Sequence, residues 1–422
     1  MRSLSLSKRP GRNTALFEAL YPKFTIFFGV NTYFCVIMSA LYSRFMALAA
    51  SVLVASVSVA GCGGSDSEKK EEPEVPPVEE VAFARGADIS WTSEMEYDMA
   101  HNPSRINGTA FRDSKGNIGL FPVLKGAGVN AIRLRVWVKP EDSHGWSGKD
   151  DVVTMAKRAA EAGMSLMIDF HYSDFFADPG KQITPVEWSG LDLKGLSAMV
   201  SEHTKDVLSA LKSAGVTPLW VQVGNETRPG MLWETGRLYN DKGEIAGGWK
   251  NYATLSNAGY DAVKAIFPKA QVIVHIDNAY EDNTWFFDKL KANGGKFDMI
   301  GLSHYPMTNS GKTWKAMNSS TVLNIKTLAA KYGCKVMVCE IGVKCPAEDL
   351  TTSTQCTTDF MNSVKSLSEC AGVFYWEPQV DGKWRPSIYE KPDRNWGAYN
   401  MGAFTSDGTA LSPTSILAPF SE

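Results

Sequence analysis

The sequence predicts a single (β/α)8 barrel, and three observations carry that expectation. Downstream of residue 80, eight short apolar runs alternate with stretches of helical periodicity, the order that a ring of parallel strands requires. No glycine-rich turn follows the first run, which tells against an open doubly wound sheet of the nucleotide-binding kind. The runs also end in polar or aromatic residues, although barrel packing is met by Val, Ile and Leu. With 422 residues, 44% of them apolar, the chain can bury a core of this size.

In order, the expected strands are residues 84–90 (ARGADIS), 131–137 (AIRLRVW), 165–172 (SLMIDFHY), 219–226 (LWVQVGNE), 271–277 (QVIVHID), 299–305 (MIGLSHY), 335–340 (KVMVCE) and 372–377 (GVFYWE). The helices between them are read from spacing. Over 192–215, Leu196, Met199, Val200, His203, Val207 and Leu211 recur at i, i+3, i+4, Lys194, Glu202 and Lys205 stay off that stripe, and Gly215 ends the helix. The strand ends then supply Asp88 and Trp91, Arg133 and Trp137, Asp169, His171, Tyr172 and Asp174, Asn225 and Glu226, Asp277 and Asn278, His304 and Tyr305, Glu340, and Trp376 with Glu377. In a closed barrel all of these are expected to face one pocket at the C-terminal mouth.

Two of the ends are carboxylates that follow apolar strands directly. Burying a charge is costly unless it is paired, hydrogen-bonded or protonated, so Glu226 and Glu340 are each candidates for acid/base work. A lone one would as readily be a helix cap or a surface ion pair. Delivered together by one parallel sheet, they are the minimum equipment for breaking a glycosidic bond, one protonating the leaving oxygen while the other attacks the anomeric carbon or activates water. A net charge of -3 and a pI near 6.1, with no basic stripe, argue against a nucleic-acid partner.

The first 80 residues read as processing and tethering sequence. The run MALAASVLVASVSVA from residue 46 is too short to span a bilayer comfortably and leads into Gly61 and Cys62, which resembles a bacterial lipoprotein signal with Cys62 as the lipidated residue. Residues 1–61 are therefore expected to be an upstream extension and signal peptide, with Met38 a plausible start. An uncleaved anchor within 21–61 is the alternative. Residues 62–80 combine clustered acids with prolines and no apolar periodicity, an extended linker by composition, and acids just after a lipidated Cys resemble a surface-export signal. The expectation is an outer-membrane lipoprotein exposed on the cell surface, held to the membrane only by its lipid, with residues 81–422 forming a monomeric barrel.

Five further cysteines fall in the last quarter of the chain, where disulfides are permitted beyond the inner membrane. Cys334 lies six residues before Glu340 and Cys370 six before Trp376, so neighbouring parallel strands would start them at similar heights. Cys334–Cys370 and Cys345–Cys356 are the expected bridges, leaving Cys339 a buried thiol. No CxxC pair or His cluster accompanies them to suggest a metal site.

The segments DFHYSDFFADPGKQ (169–182), VQVGNET (221–227), IGLSHYP (300–306) and VCEIG (338–342) together resemble the endo-β-1,4-galactanases of glycoside hydrolase family 53, within the clan of retaining (β/α)8 glycosidases. The likeness runs from about residue 86 to 396. HYSDFFADPGKQ is its specific part, whereas Asn-Glu after the fourth strand is shared across the clan. The resemblance implies that Glu226 is the general acid/base and Glu340 the nucleophile, about 5–5.5 Å apart as retention requires. Arg133 and Tyr305 would keep Glu340 ionised, a raised pKa would keep Glu226 protonated, Asn225 would orient the sugar's 2-hydroxyl, and Trp376 would floor the sugar beside the cleavage point.

Asp88, Asp169, His171 and His304 complete the expected substrate-binding set. Asp169 with His171 fits a hydrogen-bonded pair at the barrel mouth equally well, and Arg133 fits an internal ion pair. Trp188, Trp233, Trp249, Trp285, Trp384 and Trp396 are outer-subsite platforms or, as for most tryptophans, packing residues. His304 stands where many members have Tyr. The loop after Glu340, GVKCPAEDLTTSTQC, departs from the calcium-binding loop of some members, so neither a metal nor a cofactor is expected and a structural calcium ion stays open. The implied substrate is β-1,4-galactan, a pectic side chain, cut internally with retention. The alternatives are a retaining enzyme acting on mannan or xylan, and a non-catalytic glycan-binding surface lipoprotein, which the presence of both glutamates opposes.

Overall fold

A computed structural model describes residues 81–140, 144–308, 311–344, 349–390 and 400–421. The signal, the linker, Cys62, Cys345 and Trp396 lie outside the described residues. Eight parallel strands close into a barrel: β1 (Ala84–Asp88), β2 (Ala131–Val136), β3 (Ser165–Phe170), β4 (Trp220–Val223), β5 (Gln271–Ile276), β6 (Met299–His304), β7 (Val336–Ile341) and β8 (Cys370–Trp376), paired in that order with β8 against β1. All eight expected strands are present. Most stop one to three residues short of the expected end, because the polar residues there leave the ladder to form the mouth.

Eight helices accompany the strands among the described residues: α1 (Thr92–His101), α2 (Leu120–Gly126), α3 (Lys149–Glu161), α4 (Leu193–Ser213), α5 (Gly248–Ile266), α6 (Thr284–Ala292), α7 (Trp314–Tyr332) and α8 (Leu350–Val364). For α4 the sequence signals hold at both ends. The Asp192 side chain caps it by accepting from the Gly195 amide at 2.8 Å, and the helix ends just before Gly215. None of the described helices is long and apolar enough to cross a membrane.

Strand alternation sorts side chains into two populations, and the outcome corrects the expected filling of the barrel. Ile132, Leu134, Ile168, Phe170, Val221, Val223, Val274, Ile300 and Val338 point outward and pack with the helices. The lower barrel is filled instead by Ala84, Ala131, Met167, Trp220, Ile273, Met299, Met337 and Phe374. A few bulky side chains do the work of several branched ones, and Gly86 makes room for one of them: a Cβ there would meet the Phe374 ring at 2.1 Å.

On β7 the alternation is interrupted. Leu302 on β6 pairs with Val338, but Ser303 pairs with Glu340, leaving Cys339 as the extra residue of a bulge. Met337 and Cys339 face inward by parity, and the bulge turns Glu340 inward as well, while Ile341 goes back to the helix side. Gly301 opposite permits this, since a Cβ there would sit 2.7 Å from the Cys339 sulfur.

The same register overturns one expected disulfide. Cys370 pairs with Val336, not with Cys334, so the two cysteines are offset by two residues along parallel strands, roughly 6.6 Å, and both carry free thiols. Cys356 is also a free, buried thiol, pushed up to about 12 by burial, and Cys345, its expected partner, is outside the described residues.

Candidate active site

At the C-terminal mouth lies a cavity of about 250 Å³. Both glutamates line it, together with Asp88, Arg133, His171, Asn225, Tyr305 and Trp376 from the sequence-derived set.

Glu340 is 4% exposed and gripped at both oxygens: Arg133 Nη2 lies 3.0 Å from Oε1, and the Tyr305 hydroxyl donates to Oε2 at 2.6 Å. Burial raises this carboxyl above its usual value, while the guanidinium and the phenol pull it back down. Tyr305 is itself pushed well up by burial and by the Glu340 charge, so it stays a proton donor.

Glu226 has a different environment. It follows β4 through Gly224 and Asn225 and takes a left-handed backbone, φ 48°, a conformation that bulky residues hold only when their surroundings enforce it. Burial, then the charge of Glu340, pushes its carboxyl well above the usual range. Among the described residues no Lys or Arg lies within ion-pair distance of it, whereas Glu340 has Arg133. The first proton taken up by the pair therefore goes to Glu226.

The support beneath is polar and buried. Arg133 reaches Asp88 Oδ2 at 2.7 Å, Asp169 Oδ2 at 2.8 Å and Asn225 Oδ1 at 2.9 Å, which holds it well above its ordinary pKa despite complete burial. His171 accepts the Ala177 amide at Nδ1, 3.1 Å, so its Nε2–H donates to Asp169 at 2.9 Å. Asp169 thus lies beneath the cavity as a partner of Arg133 and His171, and only His171 of that pair reaches the wall.

His304 is a correction. By strand parity it points away from the cavity, into the helix layer, where Nε2 meets Asn318 Oδ1 at 2.8 Å and Nδ1 meets Thr321 at 3.1 Å on α7. Tyr172 is likewise outside, its hydroxyl 2.7 Å from Thr204 on α4, and Asp277 is taken by Arg228 at 2.5 Å. The expectation that every strand-end residue faces one pocket fails for these three, and Trp91, Trp137, Asp169, Asp174, Asn278 and Glu377 do not line the cavity either.

Several site residues escaped the sequence reading. Gln222, His275 and Ser303 stand at inward positions on β4, β5 and β6. His275 Nε2 meets Ser303 Oγ at 2.8 Å, and its Nδ1 meets Gln222 Nε2 at 2.9 Å. Burial and then Arg133 hold His275 well below its usual pKa, hence neutral. Gln182 donates to the backbone oxygen of Asn225 at 2.8 Å and of Glu226 at 3.4 Å, clamping the turn that presents Glu226. The signal for the strand residues was a polar side chain of inward parity. Gln182 gave none beyond its place in the HYSDFFADPGKQ segment.

Of the other tryptophans, Trp188 and Trp384 are 1% exposed and Trp249 is 4% exposed, so these pack in the core, whereas Trp233 and Trp285 are partly open. Among the described residues no group of three His, Cys, Asp or Glu side chains is placed to hold a metal ion.

Residues 84–416 match the family model of glycosyl hydrolase family 53. The chain is 34% identical over 314 residues to an arabinogalactan endo-beta-1,4-galactanase of Thermothelomyces thermophilus, covering 69% of this chain and 88% of the relative. It is 31% identical over 361 residues to an endo-beta-1,4-galactanase of Bacillus subtilis, covering 78% of each. Among solved structures, a fungal beta-1,4-galactanase superposes with a TM-score of 0.64 at 29% identity, covering 80% of this chain and 98% of the other. With both glutamates in one cavity at the mouth of a closed barrel and a family match spanning nearly the whole described region, the chain belongs to glycosyl hydrolase family 53 and is a glycoside hydrolase.

Proposed function

We propose that the protein cleaves internal β-1,4 bonds of galactan with net retention, Glu340 acting as nucleophile and Glu226 as acid/base. The observation that carries the assignment is the asymmetry of the pair: only Glu340 has a cation and a phenol on its oxygens, and only Glu226 lacks a cation. A Glu340 oxygen attacks the anomeric carbon while Glu226 gives its proton to the departing glycosidic oxygen, so one C–O bond forms as the other breaks. Glu226, now a carboxylate, takes a proton from water, whose oxygen displaces Glu340 and restores the β-configuration. Water is the only co-reactant.

Asn225 suits the sugar's 2-hydroxyl. Its Oδ1 is held by Arg133, and one Nδ2 hydrogen goes to the Ala177 carbonyl at 2.8 Å, which leaves a second for an oxygen in the cavity. The Trp376 indole offers the apolar face on which a galactosyl ring stacks. The relatives named as galactanases support galactan over other β-glycans. Digestion of pure galactan should release galacto-oligosaccharides, with mannan and xylan left intact. Cleavage of either of those and not of galactan refutes the substrate.

The apolar run ending at Cys62 and the acidic linker after it support a lipid-anchored protein on the outer surface of the cell. Labelled fatty acid should be incorporated into the wild-type chain and not into Cys62→Ala. Labelling of both refutes the anchor.

A further inference from the structure

A buried arginine lines the cavity without serving either glutamate. Arg135 follows Arg133 by two residues on β2, so it shares the inward face one step nearer the mouth, and it is 1% exposed. Its guanidinium carbon lies 3.9 Å from the Trp91 ring centroid, with Phe176 at 4.6 Å and Trp137 at 5.0 Å. It also pairs with Glu377, fully buried and adjacent to Trp376. The aromatic faces hold the guanidinium flat and the carboxylate fixes its rotation. A buried ion pair is a weak source of stability, since apolar residues of similar volume do as well or better. On a cavity wall, such a pair calls for an account in terms of ligand.

The order of strands indicates which part of the ligand. β8 is four strands from β4 in either direction round the ring, so Trp376 and Glu377 stand across the mouth from Glu226. A leaving group protonated by Glu226 departs on the β4 side, and the sugar that is transferred lies toward β8, β1 and β2. We propose that Arg135, oriented by Glu377, binds the glycone side of the substrate, donating hydrogen bonds to hydroxyl oxygens of the galactosyl units beside Trp376. A guanidinium only donates, so it selects the lone pairs of those oxygens. The inference deepens the galactanase reading and rests on it.

The test is calorimetric titration of galactotriose into Glu340→Gln protein, which binds without turnover, and into the same protein carrying Arg135→Gln, Arg135→Lys or Glu377→Gln. Arg135→Gln should weaken binding by about tenfold or more, the usual worth of hydrogen bonds to a charged group. Arg135→Lys should recover little, because an ammonium lacks the planar fork. Glu377→Gln should give a smaller loss. Arg135→Gln and Glu377→Gln each remove one charge of a buried ion pair and leave the other behind, so the Tm should fall in both, and the titrations are run well below the lowest Tm. Unchanged affinity in a folded Arg135→Gln protein overturns the proposal. Should that variant not fold, unchanged affinity in Glu377→Gln overturns it instead. If the parent binds manno- or xylo-oligosaccharides and no galactotriose, the substrate reading falls separately, and the same variants titrated with the sugar that does bind decide the role of Arg135.

Discussion

Tyr305 donates to one oxygen of Glu340 across 2.6 Å, and both residues owe that meeting to the bulge that turns Glu340 into the barrel. Removing the hydroxyl with Tyr305→Phe takes away a donor that favours the charged carboxylate, so the Glu340 pKa rises. The acid limb of the profile of kcat/KM against pH should move to higher pH. The plateau should fall on the order of ten- to a hundredfold, the worth of a hydrogen bond to an ionised group. A profile recorded on soluble galactan checks both.

The alkaline limb belongs to Glu226. The acid must be protonated, and its pKa is raised by burial and by Glu340, so activity persists well above the ordinary glutamate value of about 4.3 and fades as pH climbs through the raised one. Glu226→Ala should abolish that limb. With an aryl leaving group that needs no proton, the variant should lose far less rate than with galactan, and steady-state kinetics on the two substrates make the comparison.

His304 supplies a stability prediction. Burial depresses it from 6.5 to about 4, so the unfolded chain binds the extra proton first. The stabilisation is complete above pH 6.5 and is lost as pH falls toward 4, amounting to roughly 3 kcal/mol at the acid end. His203 on α4, also depressed to about 4, acts in the same direction. Thermal unfolding between pH 7 and 4 should show a steep fall in Tm for the wild type and a shallower one for His304→Gln.

Gln182 is a positioning residue with a separable signature. Gln182→Ala frees the backbone oxygens of Asn225 and Glu226 without touching the cavity wall. It should lower kcat by about tenfold with KM little changed, since a loosened acid misplaces the proton and leaves the sugar platform intact. Initial-rate kinetics resolve the two constants.

Peptide mapping of the unreduced protein should recover Cys334 and Cys370 as free thiols, given that Cys370 stands opposite Val336. A peptide linked through those two cysteines contradicts the register.

The strands were legible because each is a short apolar run with turn formers at its borders, and the two glutamates because each closes such a run. Parity was the part that failed. Tyr172 and His304 are polar neighbours of true site residues, but one step along a strand sends a side chain to the opposite face. Glu340 shows the converse. Strict alternation from Met337 and Cys339 would have turned it outward, and only the inserted residue brings it in. The polar layer of Gln222, His275 and Ser303 lay within strands otherwise read as apolar, and Gln182 acts through a fold of the loop that local spacing does not encode.

The most direct measurement is the configuration of the first sugar released, followed by proton NMR during hydrolysis of a galacto-oligosaccharide before mutarotation sets in. Attack by Glu340 followed by attack of water predicts that the β-anomer signal rises first and the α-anomer follows by slow equilibration. An α-anomer signal that leads would mean a single displacement by water, and would contradict the assignment of Glu340 as nucleophile.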